Sequence, residues 1–222
     1  RLEYEWNMKY NNNVPIDTNK IPVAFRMNKF LGNGQPSDLR AEKREAIAFT
    51  LSNGSGLLAY DVGVGKTPSA IMTISAFLDM GYCKRPLVIV PNQTYKQWLF
   101  EFKDWCAHIP INAMYNLNDS LIEEFQDSQG ITKQLPSGSV TIMTYEGLEK
   151  LGYSKGMSDT LSKEIYDILV QDTGDKSEKQ QDKLALKIET DSNKLIGKAL
   201  AKSRINVDEL GFDYVCLDEA HA

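Results

Sequence analysis

The stretch GLLAYDVGVGKTPSAIM, residues 56–72, decides how the rest of the chain is to be understood. It runs from a short apolar segment through a loop holding Gly63 and Gly65 into Lys66 and Thr67, and then into an amphipathic pattern. A phosphate cradle needs those parts in that order: a strand that stops abruptly, backbone N–H groups turned inward, a lysine for the terminal phosphates and a hydroxyl for magnesium. Residues 57–67 supply all four. Val62, Gly63, Val64 and Gly65 would wrap the phosphates, Lys66 would reach the β and γ oxygens, and Thr67 would ligate Mg2+. Pro68 suits a first helical turn, where a missing N–H is no loss. Tyr60 stands where the G-x-x-x-x-G-K-[ST] pattern has its first glycine. That position lies at the mouth of the loop, so its side chain can turn away; the later glycines are the ones that must let the backbone approach. A glycine turn before an ordinary helix would look similar, so the loop alone leaves both readings open.

A second segment narrows them. FDYVCLDEAH, residues 212–221, is an apolar strand ending in two adjacent carboxylates. Asp218 can hold Mg2+ through water, and Glu219 can polarise an attacking water. Alone, D-E-A-H could be an acidic turn. Following a buried strand, and downstream of a Gly-Lys-Thr loop, it is the partner such a loop requires, and ATP with Mg2+ is the expected cofactor pair.

Between the two, short apolar runs alternate with helical patterns: TPSAIMTISAFLDMG, PLVIVP, TYKQWLFEFKDWC, INAMYN, DSLIEEFQ and SVTIMTY. Aliphatic and β-branched strands separated by helices of ten to fifteen residues imply βαβ units around a parallel sheet. The expected class is α/β, doubly wound, with helices on both faces. Ahead of it, DLRAEKREAIAFTLSNGSG reads as one helix, capped at Asp38, burying Ala46, Ile47 and Leu51 and stopped by glycine.

Two regions depart from that rhythm. Residues 1–38 mix aromatics with Asn, Pro and Gly, which favours an irregular arm anchored by Trp6, Tyr10 and Phe25. The domain proper then spans residues 39–222. Residues 151–208 are polar, with sparse apolar residues at helical spacing such as Leu161, Ile165, Ile168 and Leu169. A projecting helical hairpin with a turn at QDTGDK fits them, as a solvated spacer or as an arm that touches a partner.

Composition excludes little. The chain has 222 residues, 42% hydrophobic and 25% charged, and carries a net charge of −5, so no global basic field draws nucleic acid to it. Any such contact must come from a local surface. Cys83, Cys106 and Cys216 form no C-x-x-C pair and fit a reducing compartment. No apolar run approaches the roughly 20 residues that cross a bilayer, and no signal peptide opens the chain. A cytoplasmic location, in a bacterial host or encoded by a phage, is the expectation. The chain starts at Arg1 without a methionine and stops at Ala222, which reads as a piece of something larger.

Two more strand ends complete the pattern. PLVIVPNQTYKQWLFEF carries Pro91 and Asn92 at its strand end, then a helix bearing Gln97, Trp98 and Glu101. SVTIMTYEGL ends in Thr144, Tyr145 and Glu146. Ligands of open α/β sheets gather at the carboxyl ends of strands, so these ends could line one rim. Each also has a plain structural reading: Trp98 and Phe102 as core, Thr-Tyr as a turn.

The order A-x-x-x-G-x-G-K-T, V-P-N with a following Q-W and E-F, T-Y-E, and D-E-A-H resembles the first RecA-like motor lobe of superfamily 2 helicases of DEAH-box type, most closely the Swi/Snf-like branch. In that branch the position of Tyr60 is commonly Asp or His, so the loop does without a first glycine. YEWNMKYN, GYCKRPLVIVPN, the polar insertion and VDELGFDYVCLDEAH look like the helicase part of large phage and mobile-element proteins, often linked to an adenine-specific DNA methylase. The resemblance implies ATP at Gly63, Gly65, Lys66 and Thr67, with Mg2+ and the hydrolytic water at Asp218 and Glu219. His221 would couple that site to the rest of the motor. Pro91, Asn92, Thr144 and Tyr145 would lie along a DNA strand, duplex DNA being the expected partner, touching phosphates without reading bases. One departure concerns the base: the family usually has a glutamine for adenine where this chain has Lys43.

A motor also needs a second lobe with an arginine that closes on the γ-phosphate. After the loop the only arginines are Arg85 and Arg204, so the piece by itself is expected to hydrolyse little. A different class, a nucleotide-gated scaffold that binds DNA or protein without catalysis, remains the alternative. A GTPase is disfavoured because Asn19-Lys20, Asn28-Lys29 and Asn193-Lys194 all lack the following aspartate of a guanine signature.

Overall fold

The computed structural model describes residues 20–21, 26, 41–59, 63, 65–115, 119–171 and 205–220. They fall into two compact units, one within residues 1–82 and 101–108, the other within 83–100 and 109–222.

In the first unit, helix α1 (Ala41–Asn53) packs on helix α2 (Lys66–Met80). Ala46 and Ile47 are buried on α1, together with Ala48, whereas Leu51 is only half-buried. On α2, eight residues from Ser69 to Phe77 are buried, nearly all the way round, as expected of a helix covered on several sides. Gly81 ends it in the left-handed conformation, its N–H donating back to Leu78 O. Of the expected arm, Arg26 is described: its N–H donates to Asp79 Oδ2 at 3.2 Å and its carbonyl accepts from the Ser75 hydroxyl at 3.2 Å. Trp6, Tyr10, Phe25 and the cap at Asp38 lie outside the described residues.

The expected strand over GLLAY is absent from its described residues, 56–59. Residues 55–59 have no regular structure, and Leu57 is 84% exposed. Apolar character favours burial, but a strand needs a neighbour to complete its hydrogen bonds, and no described segment pairs with this one.

The second unit is a parallel sheet in the order β2-β3-β1-β4, built from β1 (Pro86–Val90), β2 (Ile111–Met114), β3 (Val140–Thr144) and β4 (Tyr214–Leu217). The expected α/β class with a parallel sheet is therefore found. Central strands β1 and β3 are buried at every position, which explains their unbroken apolar runs. Between the strands lie α3 (Tyr95–Trp105), α4 (Asp119–Glu124) and the one-turn α5 (Tyr145–Leu148). One core cluster joins Leu87, Ile89, Met114, Met143, Leu151, Ile205 and Leu210.

The start of the sheet is clamped by Asp213, whose carboxylate accepts from the backbone N–H of Lys84 at 2.7 Å and of Arg85 at 2.9 Å. Arg85 Nε in turn donates to Leu135 O at 2.6 Å. The polar excursion leaves and returns through the core: Leu151 and Ile205 are buried, Gly152 bridges Asn206, and Ser154 binds the Asp208 carboxylate through both its N–H and its hydroxyl. Helix α6 (Lys155–Gln171) takes up its first part. The side chains of Ile165, Ile168 and Leu169, and the turn at 172–176, lie outside the described residues.

Candidate nucleotide and metal site

The glycine loop belongs to the first unit. Gly63 has φ +86° and Gly65 φ +98°, conformations that side chains strain against. Gly65 caps α2, and no side chain caps the helix in its place. Ser69 closes the first turn, its N–H and hydroxyl both donating to Gly65 O. Lys66 and Thr67 open the helix, and Pro68 follows inside the first turn, so this end offers backbone N–H groups and the positive end of the helix dipole to an anion. Val62, Val64 and Tyr60 lie outside the described residues.

Lys43 reaches this loop from α1. A Cβ on Gly65 would stand 2.5 Å from Lys43 Cε and 3.1 Å from its Nζ, and the ammonium lies 5.6 Å from the centre of the Trp105 ring. The position that the family resemblance matched to a base-reading glutamine is thus occupied by a lysine that lies against the backbone of the glycine loop at Gly65.

The acidic strand end belongs to the second unit. β4 ends at Leu217, and Asp218 continues its register, its N–H donating to Ile89 O at 2.9 Å. Glu219 follows with φ +53°, a left-handed backbone that a glutamate adopts at a cost of about 1–2 kcal/mol. Asp218 is half-buried and held from two further directions. Trp98 Nε1 donates to Asp218 Oδ2 at 2.7 Å, and the Tyr145 hydroxyl donates to the Asp218 carbonyl at 2.8 Å. Burial, followed by the nearby charges of Asp218, Cys216 and Glu219, pushes the Tyr145 phenol up, so it stays protonated and remains a donor. Burial, then Asp218, pushes the Cys216 thiol up to about 12. His221 lies outside the described residues.

The rim is partly assembled within this unit. Parallel pairing sets Val90 beside Thr144 and Ile89 beside Leu217, so the carboxyl ends of β1, β3 and β4 are level. Pro91 O accepts from the Thr94 N–H and hydroxyl, turning the chain into α3. Asn92 Nδ2 donates to Glu146 Oε1 at 2.7 Å across the rim. Thr144 is 1% exposed and its hydroxyl accepts from the Gly147 N–H at 3.0 Å, capping α5. The two hydroxyls expected along a DNA strand, those of Thr144 and Tyr145, are engaged inside the unit here, and of the four residues expected there Asn92 is the exposed one, paired with exposed Glu146.

Sequence reasoning weighed Trp98 as core and missed its bond to Asp218. A signal existed: the indole N–H of a buried tryptophan needs an acceptor, and the helix carrying Trp98 follows directly on a strand end. The Asn92–Glu146 pair had no comparable signal.

Mg2+ binds through one or two carboxylates and the substrate phosphates while keeping several waters; the Thr67 hydroxyl in the first unit and the Asp218 carboxylate in the second are each oxygen donors of a kind it takes. No group of three or more metal-binding side chains occurs among the described residues.

Residues 3–222 match the SNF2-related domain. The chain is 33% identical over 92 residues to the ATP-dependent helicase fft1 of Schizosaccharomyces pombe, covering 38% of this chain and 10% of that protein. It is 29% identical over 164 residues to the DNA repair and recombination protein RAD54B of Gallus gallus, covering 60% of this chain and 17% of that one. The chain therefore spans only a small part of these relatives. Among solved structures, the SWI2/SNF2 ATPase core of Sulfolobus solfataricus in complex with dsDNA is similar at 24% identity and a TM-score of 0.42, over 51% of this chain and 23% of that one.

Proposed function

The chain belongs to the SNF2-related domain family, and we propose that it is the first motor lobe of an ATP-dependent DNA translocase or helicase of the Swi/Snf-like, DEAH-box kind. The observation that carries this reading is the placing of Asp218 and Glu219 at the carboxyl end of a strand in a parallel sheet, in a chain whose glycine loop opens a helix at Lys66. The loop from Val62 to Pro68 binds the triphosphate through backbone N–H groups, with the Lys66 ammonium on the β and γ oxygens. Thr67 and Asp218 would hold the accompanying Mg2+, which would supply neutralisation of the phosphate charge. Glu219 orients the attacking water and accepts its proton. His221 passes the state of that site to the rest of the motor. Duplex DNA runs along the rim at Pro91, Asn92, Thr144 and Tyr145, through backbone contacts.

Arg85 Nε donates to Leu135 O and Arg204 lies outside the described residues; in this proposal the arginine that completes the transition state comes from a second lobe in a longer protein. This piece alone then hydrolyses ATP slowly. A linked adenine-specific DNA methylase, a phage or mobile-element origin and a cytoplasmic location belong to the same proposal. Among the described residues no helix is long and apolar enough to cross a membrane.

In the full-length protein, Glu219→Gln is expected to keep nucleotide binding and lower DNA-stimulated ATP turnover by about a hundredfold or more, whereas Lys66→Ala loses binding itself. Unchanged turnover in Glu219→Gln would favour the nucleotide-gated scaffold instead.

A further inference from the structure

Asp218 is fixed by three elements at once. β1 accepts its N–H, α5 donates to its carbonyl through Tyr145, and α3 donates to its carboxylate through Trp98. Trp98 sits on the inward face of α3, 2% exposed, in line with buried Tyr95, Phe102 and Trp105 at helical spacing. Its ring packs as core; its N–H leaves the core to reach Oδ2. A hydrogen bond to a carboxylate is charge-assisted and roughly twice as strong as a neutral one, so it holds the side-chain torsion of Asp218.

We propose that Trp98 is a positioning residue for the metal-facing acid: by occupying Oδ2 from behind, the indole N–H leaves Oδ1 as the oxygen available to a magnesium-bound water. The proposal rests on the reading of Asp218 given above. It predicts that the indole matters for the metal and not for the phosphates, since its N–H bonds Asp218 and the phosphates are assigned to Lys66 and the glycine loop. It also makes Trp98 a built-in reporter, because a change at the carboxylate reaches a fluorophore 2.7 Å away.

The test uses the whole chain and a fluorescent ATP analogue, titrated with Mg2+ and, separately, in EDTA. Trp98→Phe keeps an aromatic ring and removes the donor. The Mg2+ concentration for half-maximal binding should rise about tenfold to a hundredfold, the usual effect of deleting an outer partner of a metal ligand, while binding in EDTA stays at the wild-type level. Equal weakening with and without metal would mean a merely structural role and overturn the proposal, as would an unchanged Mg2+ requirement. A second measurement guards against a misfolded variant: with ATP, Mg2+ should shift the tryptophan emission of the wild type and of Trp105→Phe. A wild-type shift lost in Trp105→Phe would assign the signal elsewhere and overturn the reporter claim. If the wild type takes up no nucleotide under either condition, the functional reading itself falls; if only the Trp98 outcomes fail, that reading stands and this inference does not.

Discussion

Gly65 concentrates the requirements of the loop in one residue. Its φ of +98° lies where an L side chain costs about 1–2 kcal/mol, and a Cβ there would meet Lys43 Cε at 2.5 Å. Lys43 is the flexible end of a long side chain and can withdraw, so the backbone strain is the lasting penalty. Gly63, at φ +86°, has open space around its Cβ position, and there the conformation alone argues for glycine. Gly65→Ala should therefore lower stability by about 1–2 kcal/mol in denaturant unfolding and also weaken ATP binding, as the displaced Lys43 and the altered N–H directions disturb the cradle. A variant with wild-type stability and affinity would show that this residue has no special backbone role. The loop's glycines were legible in the sequence because φ freedom is a property of the residue. The approach of Lys43 was not, since nothing local links α1 to residue 65.

At the scale of elements, what the sequence encodes is burial, and what it leaves open is partnership. PLVIV and SVTIM read as buried strands and are buried at every position, because a parallel strand covered on both faces has no polar side to show. GLLAY carries the same apolar signal and forms no described strand, since pairing depends on a neighbour that the segment cannot specify. Trp98 and Phe102 read as core and are core, yet the sequence could not say which acceptor the indole would find 120 residues away. The T-Y-E segment became a one-turn helix capped by Thr144. Removing that cap in Thr144→Ala should cost about 1 kcal/mol, seen as a lower denaturant midpoint with unchanged slope, and Thr144→Ser should restore it. Equal stability of all three forms would mean that the hydroxyl's bond to Gly147 contributes nothing.

For the whole molecule, the chain order of the motifs was enough to indicate a family, and the match over residues 3–222 bears that out. It was not enough to define the edges of the polar excursion. Leu151, Ile205 and Leu210 read as part of a polar stretch or its margin, yet they sit in the second unit's core; a single aliphatic residue among lysines and glutamates gives no periodic signal of its own. The account depends on the two halves of the site serving one nucleotide, the loop at Gly63–Lys66–Thr67 and the acids Asp218 and Glu219. The most direct measurement is a crystal structure of this chain with magnesium and a non-hydrolysable ATP analogue. The account predicts Lys66 Nζ within hydrogen-bonding distance of the β and γ phosphate oxygens, and Asp218 facing the same magnesium through a bound water. Phosphates seated away from Lys66, or a metal that Asp218 does not face, would contradict it.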